Sequence, residues 1–357
     1  MGAVRAIFCF VVTFLVFAQL SVLPTLNILF ETPEVNDAPE FFHHENITPL
    51  KSQSKPNNLN ILSKKNETLM VSKTKIISFC DYNFRSIAVK WYERLTKLGY
   101  DTHVIVATDQ ELVDFLESRH SNFRYEVSFP PPMPKQYQNK AESKQSQVRY
   151  QLLLALRWKF ILEELKKGIH IQLTDADNIY NQYISLKDEI EDKDPTIDVW
   201  FAYGAKFPPQ VYEIQGFTVC GGMSWWRASQ ASIQFVESLL DECGIKCDDQ
   251  RKLNTLLVSP TLNMKWQWTE EIRNSRIQNH TSFEGIPTIG ILGFSNVTGI
   301  KAKVWDRHFA TRGLLTDPCP KNNWVSMPIV PARSRFTKWK DKLASFDTWD
   351  ELCGVQN

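Results

Sequence analysis

Three features are absent from this 357-residue chain, and each narrows what it can be. It has no charge of one sign to spare: 41 Lys and Arg stand against 40 Asp and Glu. No long-range field then favours a polyanion, and nucleic acid is not an expected partner. No internal repeat is visible, so neither a solenoid nor a propeller is expected. No clear small-x-small cleavage site follows the apolar N-terminus, which weighs against a removed signal peptide.

What is present begins with that N-terminus. "AIFCFVVTFLVFAQLSVL", from Ala6 to Leu23, carries no charge and follows Arg5. At about 18 residues it reaches the lower limit of a spanning helix. It reads as a signal anchor, the alternative being a signal peptide cleaved within "FAQLS". Either sends the remaining chain into the secretory lumen. Four N-x-S/T sequons, at Asn46, Asn66, Asn279 and Asn296, agree with that destination. Outside the apolar run are Cys80, Cys220, Cys243, Cys247, Cys319 and Cys353. Disulfides are expected between Cys243 and Cys247 and between Cys319 and Cys353, whereas Cys80 and Cys220 sit in apolar contexts and read as core thiols.

A hydrophobic content of 43% is ample for a core. Residues 31 to 72 show little periodicity and read as a flexible stem. Order begins at "TKIISFC", a buried strand. "NFRSIAVKWYERLTKLG" follows as a helix, with Asn83 to cap it and Gly99 to end it. "THVIVAT" is a second strand. "TDQELVDFLESR" is a helix with Thr108 and Glu111 spaced as a capping box, and "FRYEVSF" is a third strand. "FPPPMPK" is a loop, after which a long helix runs to Gly168. Strands alternating with helices predict a parallel, doubly wound sheet. Later, "IDVWFAYG" reads as a strand, "GFTVCGGMSWW" as a strand leading into a glycine pair, and "SQASIQFVESLLDECG" as a helix. "MKWQW" and "TIGILGF" read as short strands and "KAKVWDRHF" as a helix; the chain beyond Pro318 shows little periodicity.

The sharpest chemical signal is "HIQLTDADNIY". Ile169, Ile171 and Leu173 alternate like a strand entering a core, and that strand ends in Asp175 and Asp177. Two carboxylates delivered there repel and lose hydration, so something cationic should offset them. They suit a hard divalent cation completed by phosphate oxygens and water, at the strand ends where such sheets bind ligands. The bland alternative is a turn capped by Asp175. Asp192 and Asp194 share the spacing but lie in the charged stretch "DEIEDKDPTID", where solvation explains them. Gly221 and Gly222 allow close backbone approach to a ligand or, equally, a bulge. Asp249 and Gln250 open a helix, where acidic residues are most often caps. Lys159 reads as a snorkelling surface lysine.

"KIISFCDYNF", Lys159, "LTDADNIY", "VCGGMSWWRAS" and "DDQRKLNTLL", in that order, resemble the nucleotide-diphospho-sugar transferase domain. That domain occurs in eukaryotic Golgi glycosyltransferases that include plant cell-wall arabinosyl- and xylosyltransferases. The resemblance spans roughly residues 74 to 310. It implies an α/β, Rossmann-like glycosyltransferase A fold with a mixed, mostly parallel sheet. It also implies a single-pass type II Golgi membrane enzyme, attached through the N-terminal helix, that transfers sugar from a nucleotide-sugar donor to a glycan or glycoprotein acceptor. The divisions are then 1–30 for the anchor and flank, 31–72 for the lumenal stem, 73–318 for the catalytic domain and 319–357 for a C-terminal tail. If the apolar segment is cleaved instead, the enzyme is secreted.

On matching positions, the resemblance gives Asp175 and Asp177 the divalent metal (Mn2+ or Mg2+), with Thr174 beside them in the donor site. Phe79 and Cys80 would line the base, and Lys159 would support the acidic strand or donor. Gly221 and Gly222 would floor the junction of donor sugar and acceptor, and Asp249 with Gln250 would contact sugar hydroxyls. Lys301 and Lys303, in "TGIKAK", are expected at the diphosphate. Trp225 or Trp226 could stack on a sugar face, although packing suits at least one of them better. Transfer with retention is expected. One departure is plain: the family's late histidine, a third metal ligand, is replaced by Gly293, with His308 too far along the chain. A non-catalytic sugar-binding protein of this fold and a D-x-D phosphohydrolase are the alternatives. The hydrolase is disfavoured because its nucleophile closes the first strand.

Overall fold

The computed structural model describes residues 74–119, 123–204, 206–244, 247–274, 289–306, 309–314, 323–329 and Trp349. The expected membrane segment and stem, Asn46, Asn66, Asn279, His308, Cys319 and Cys353 lie outside the described residues. No helix among the described residues is long and apolar enough to cross a membrane.

The first half follows its sequence pattern. Strand β1 (Thr74–Cys80) leads to helix α1 (Arg85–Lys97), β2 (His103–Ala107), α2 (Gln110–Ser118) and β3 (Tyr125–Val127). The long helix α3 (Glu142–Lys166) then returns the chain to β4 (His170–Thr174). Gly99 and Gly168 end their helices at φ +93° and +80°, a region that glycine enters without a Cβ penalty. The caps differ from expectation. Asp81, not Asn83, caps the single 3-10 turn before α1, accepting the Phe84 amide at 3.2 Å. Asp109, not Thr108, caps α2 and accepts the Leu112 amide at 2.9 Å, while the Thr108 hydroxyl donates to the Cys80 carbonyl. A carboxylate is the better acceptor for N–H groups at the positive end of a helix.

Beyond β4 come β5 (Ile179–Tyr180), β6 (Val199–Tyr203), α4 (Pro209–Gln215), β7 (Val219–Trp226), α5 (Gln230–Cys243) and α6 (Asp249–Val258). The strands β8 (Met264–Trp266), β9 (Ile291–Ser295), β10 (Lys301–Val304), β11 (Ala310–Leu314) and β12 (Val325–Ile329) follow. Two expectations fail here. The glycine pair does not follow a strand but lies inside β7, whose residues are all buried. "KAKV" is not helical: Ala302 and Val304 turn inward while Lys301 is exposed and Lys303 half-buried, and this period-two pattern makes it β10. The aperiodic chain beyond Pro318 supplies β12.

The nine-stranded sheet has the order β3-β2-β1-β4-β7-β6-β10-β9-β8. Seven strands share one direction, with β7 and β9 reversed, so the eight pairings divide evenly between parallel and antiparallel. The sheet is mixed rather than mostly parallel in its pairings. Its two faces bury separate cores. Ile76, Ile105, Trp200 and Trp225 pack with α1 and α2 on one face. Ile77, Leu173, Phe201 and Trp226 pack with α3, α5 and α6 on the other. Trp225 and Trp226 are both fully buried, so neither is free to stack on a sugar. A smaller sheet, β11-β12-β5, lies on the α1 side. Cys243 and Cys247 form the expected disulfide, and Cys80 and Cys220 are buried free thiols.

Candidate active site

In the strand order, β1 separates β2 and β3 from β4, so the topological switch lies between β1 and β4. Open α/β sheets bind ligands beyond the carboxyl ends of their strands at such a point. Those ends are Cys80-Asp81 and Thr174-Asp175. The β1–β4 register pairs Ile77 with Leu173, which carries Phe79 level with Asp175.

The Asp175–Asp177 turn is pinned from three directions. The Asp175 amide donates to the Gly222 carbonyl at 2.8 Å, continuing the β4–β7 ladder. The buried Asn178 amide group donates to the same carbonyl at 3.1 Å and to the Thr174 hydroxyl at 3.0 Å. Arg157, from α3, donates through one nitrogen to the Asp175 carboxylate at 3.1 Å. Its other terminal nitrogen donates to the Gly221 carbonyl at 3.1 Å and to the buried Asp249 carboxylate. Asp175 is half exposed and Asp177 half-buried, whereas Arg157 is 8% exposed. A cation for Asp175 is therefore supplied by the helix preceding its strand.

The glycines are not equivalent. A Cβ on Gly222 would collide with the Asp175 carboxylate, so only glycine lets β7 pass that close. A Cβ on Gly221 would reach only ordinary contact, 3.4 Å from Gln250. Asp248 caps α6 and frees Asp249 to turn inward to Arg157. Gln250 accepts the Gly221 amide at 2.7 Å and donates to the Val219 carbonyl at 2.6 Å. Asn254, one turn on, donates to the same carbonyl at 2.9 Å and accepts the Val219 amide at 2.8 Å. The face of α6 thus holds the start of β7 in place.

Of the expected site residues, Asp175, Asp177, Thr174, Gly221, Gly222, Asp249 and Gln250 come together. Phe79 borders them, half-buried and edge-on to Phe160 at 5.4 Å. Cys80 is in line but its side chain is 2% exposed, so it does not line a pocket; burial pushes its thiol up to about 12. Lys159 is exposed, and Arg157, two residues earlier, takes the role assigned to it. Helical spacing held the signal: Arg157 shares a face with the buried Leu154, Trp158 and Ile161, whereas Lys159 lies some 200° round the helix.

Lys301 and Lys303 are elsewhere. The register carries Gln172 across Trp225 and Trp200 to Lys303, three strands from β4, a lateral distance of about 14 Å. Lys301 lies two residues further toward the amino ends of the parallel strands, away from Asp175. Lys303 instead covers the Trp200 ring at 4.3 Å, and burial lowers its pKa. Gly293 is four strands from β4, and a Cβ there would collide with the Trp266 ring. A histidine at that position would not fit the packing against Trp266. Among the described residues, no group of three His, Cys, Asp or Glu side chains is placed to hold a metal.

Comparison with known proteins yields one sequence match and several distant structures. No curated protein sequence matches the chain. Among solved structures, the galactosyltransferase LgtC, in complex with donor and acceptor sugar analogues, is 12% identical with a TM-score of 0.41. That match covers 79% of this chain and 96% of LgtC. The mannosyltransferase Ktr4p from S. cerevisiae is 11% identical at a TM-score of 0.36, covering 55% of this chain and 67% of Ktr4p. Core-mannan synthase A from Aspergillus fumigatus, in a Mn/GDP form, is 8% identical at 0.33, covering 58% of this chain and 77% of that one. The pattern of the nucleotide-diphospho-sugar transferase family matches residues 99–325, which include the Asp pair, the glycine pair and Asp249. The chain therefore belongs to the nucleotide-diphospho-sugar transferase family and is a glycosyltransferase.

Proposed function

We propose that this glycosyltransferase moves a sugar from a nucleotide-diphosphate donor to a glycan or glycoprotein acceptor, with retention and with a divalent ion. We place it in the Golgi lumen, anchored through residues 6 to 23. The observation that carries the reading is the Asp175–Asp177 turn at the switch point, with Asp175 fixed by Arg157 and by the Gly222 carbonyl.

The donor set fits a divalent ion as two carboxylate ligands completed by donor phosphate oxygens and water, not as a preformed protein cage. When bound, the ion stabilises charge on the departing diphosphate. Arg157 orients Asp175, and the bare Gly222 backbone leaves its carboxylate room. Asp249, the carboxylate beside the glycine pair, is buried and occupied by Arg157. It is not poised to take a proton from an acceptor hydroxyl, which favours retention with the leaving phosphate as base. The sequons and the Cys243–Cys247 disulfide support an oxidising lumen.

Incubation with a panel of nucleotide sugars, with Mn2+ or with a chelator, tests the reading through release of free nucleoside diphosphate. Release from one donor, lost on chelation, is expected. Equal release with chelator present would remove the metal, and no release from any donor would remove the proposed reaction.

A further inference from the structure

The segment that follows the Asp pair is tied down by parts of the chain remote from it in sequence. Residues Ile179–Tyr180 form β5, and β12 pairs with them. The Asn181 amide donates to the Trp324 carbonyl at 2.9 Å. The Asn181 side-chain nitrogen donates to Asn323 Oδ1 at 2.7 Å and to the Ser326 hydroxyl at 3.0 Å. Its oxygen accepts the Trp349 indole N–H at 2.8 Å. Trp349 is 6% exposed and Asn323 2%, and Asn181 itself is half-buried, so these bonds are partly shielded from water. On the near side, Arg94 donates to the Tyr180 carbonyl, and Ile184 donates its amide to the Tyr100 hydroxyl at 3.0 Å. The Tyr100 hydroxyl in turn accepts the Trp324 indole N–H at 2.8 Å.

Only three residues separate Asn181 from Asp177. Asn178, next to Asp177, is locked to Gly222, so the turn is held on its near side by β7. On its far side, past β5, the chain is held by the Asn181 side chain. Ser326 and Trp349 both lie beyond the span that the family pattern matches.

We propose that Asn181 and Trp349 are positioning residues: residues 323–326 and Trp349 latch the far side of the Asp175–Asp177 turn and so set the carboxylates that would hold the divalent ion for the donor diphosphate. This rests on the reading of that turn given above. An indole N–H on the Asn181 oxygen and two acceptors on its nitrogen satisfy the amide at both ends and fix which way it faces. The rotamer of Asn181 then fixes the direction in which β5 leaves the turn. Loss of one bond leaves a buried partner unpaired, so the effect on the turn should exceed that of a surface contact.

The test is amide hydrogen exchange of the full chain, read by mass spectrometry over residues 174–182, in the parent and in Trp349→Phe. Phenylalanine keeps the aromatic packing and removes only the N–H. Exchange at the Asp175, Asn178 and Asn181 amides should rise by about tenfold, while β1 amides stay unchanged. Asn181→Asp, which keeps the oxygen facing Trp349 and loses the donors to Asn323 and Ser326, should have a similar effect and guards against a Trp349 variant that fails to fold. Faster exchange confined to residues 323–329, with 174–178 unchanged, would overturn the proposal. Binding of Mn2+ alone, followed by electron paramagnetic resonance, supplies the second readout: both variants should weaken it several-fold. Asp177→Asn is the control for the underlying reading. If the parent and Asp177→Asn bind Mn2+ equally poorly, the metal assignment fails while the exchange data still decide the latch.

Discussion

At the scale of single residues, the site depends on a guanidinium and on a missing methyl group. Arg157 joins Asp175, Asp249 and the Gly221 carbonyl, a set that one lysine ammonium cannot span from the same backbone position. Arg157→Ala leaves Asp249 buried without a counter-charge, and this should destabilise the fold by about 3–5 kcal/mol as read by denaturant titration. Arg157→Lys should fold better yet lose most donor turnover, since it cannot hold both carboxylates. Turnover equal to the parent in Arg157→Lys would show that Asp175 needs no orientation. Asp177→Asn should lower nucleotide-sugar turnover by at least roughly 100-fold without unfolding the chain. Asp192→Asn and Asp194→Asn should change little, because Asp192 is exposed and the Asp194 carboxylate accepts the neighbouring Thr196 hydroxyl at 3.1 Å, away from the donor site. Similar losses from both pairs would remove the assignment.

At the scale of elements, the sequence reads well where one periodicity dominates and poorly where two compete. Strands β1, β2 and β4 and helices α1 to α3 carry clear apolar patterns, and the Asp pair was legible because a buried strand delivers it. Arg157 was hidden because it sits among apolar neighbours, next to a more conspicuous lysine. β10 is ambiguous in sequence because a four-residue strand flanked by Trp305 and polar residues also fits a helical turn. Lys301 and Lys303 share that ambiguity, since their place depends on register across three strands that no local pattern encodes. The packing of α1 on β2 makes its own prediction. His103, 3% exposed, lies against Tyr92 with ring centroids 4.1 Å apart and bonds the Thr96 hydroxyl at 3.0 Å. Burial, helped by Arg124, lowers its pKa to about 4. The unfolded chain takes up this proton near the ordinary histidine pKa of about 6.5, and the folded chain resists until about pH 4. Stability from neutral His103 is thus complete above that upper value and lost as pH falls through the window, by on the order of 2–3 kcal/mol. In His103→Gln the drop in Tm between pH 7.5 and pH 5 should shrink; an unchanged drop would clear His103 of the acid sensitivity.

At the scale of the whole molecule, the sheet separates its two ends, and that separation decides the fate of one asparagine. The sequon at Asn296 lies in the hairpin between β9 and β10; the resemblance that sets Lys301 at the donor diphosphate would turn this loop inward and leave Asn296 unmodified. The register places it otherwise. β10 runs parallel to β6 and in the direction of β4, so its start lies at the amino ends of these strands, while Asp175 lies at a carboxyl end. The hairpin is built to point outward. The Ser295 hydroxyl accepts the amides of Val297 at 3.2 Å and Thr298 at 3.1 Å, and Gly299 closes the turn at φ +74°. Asn296 is exposed and Val297 is 61% exposed, so a glycan there meets solvent and not the donor. In protein made through a secretory pathway, Asn296 should therefore carry a glycan, detected by glycopeptide mass spectrometry before and after enzymatic deglycosylation. Asn296→Gln should remove that mass and leave donor turnover unchanged, because the hairpin is far from the Asp pair. An unmodified Asn296 in molecules whose Asn46 is occupied would mean that this face is covered during folding or assembly, and loss of turnover in Asn296→Gln would return the hairpin to the active site.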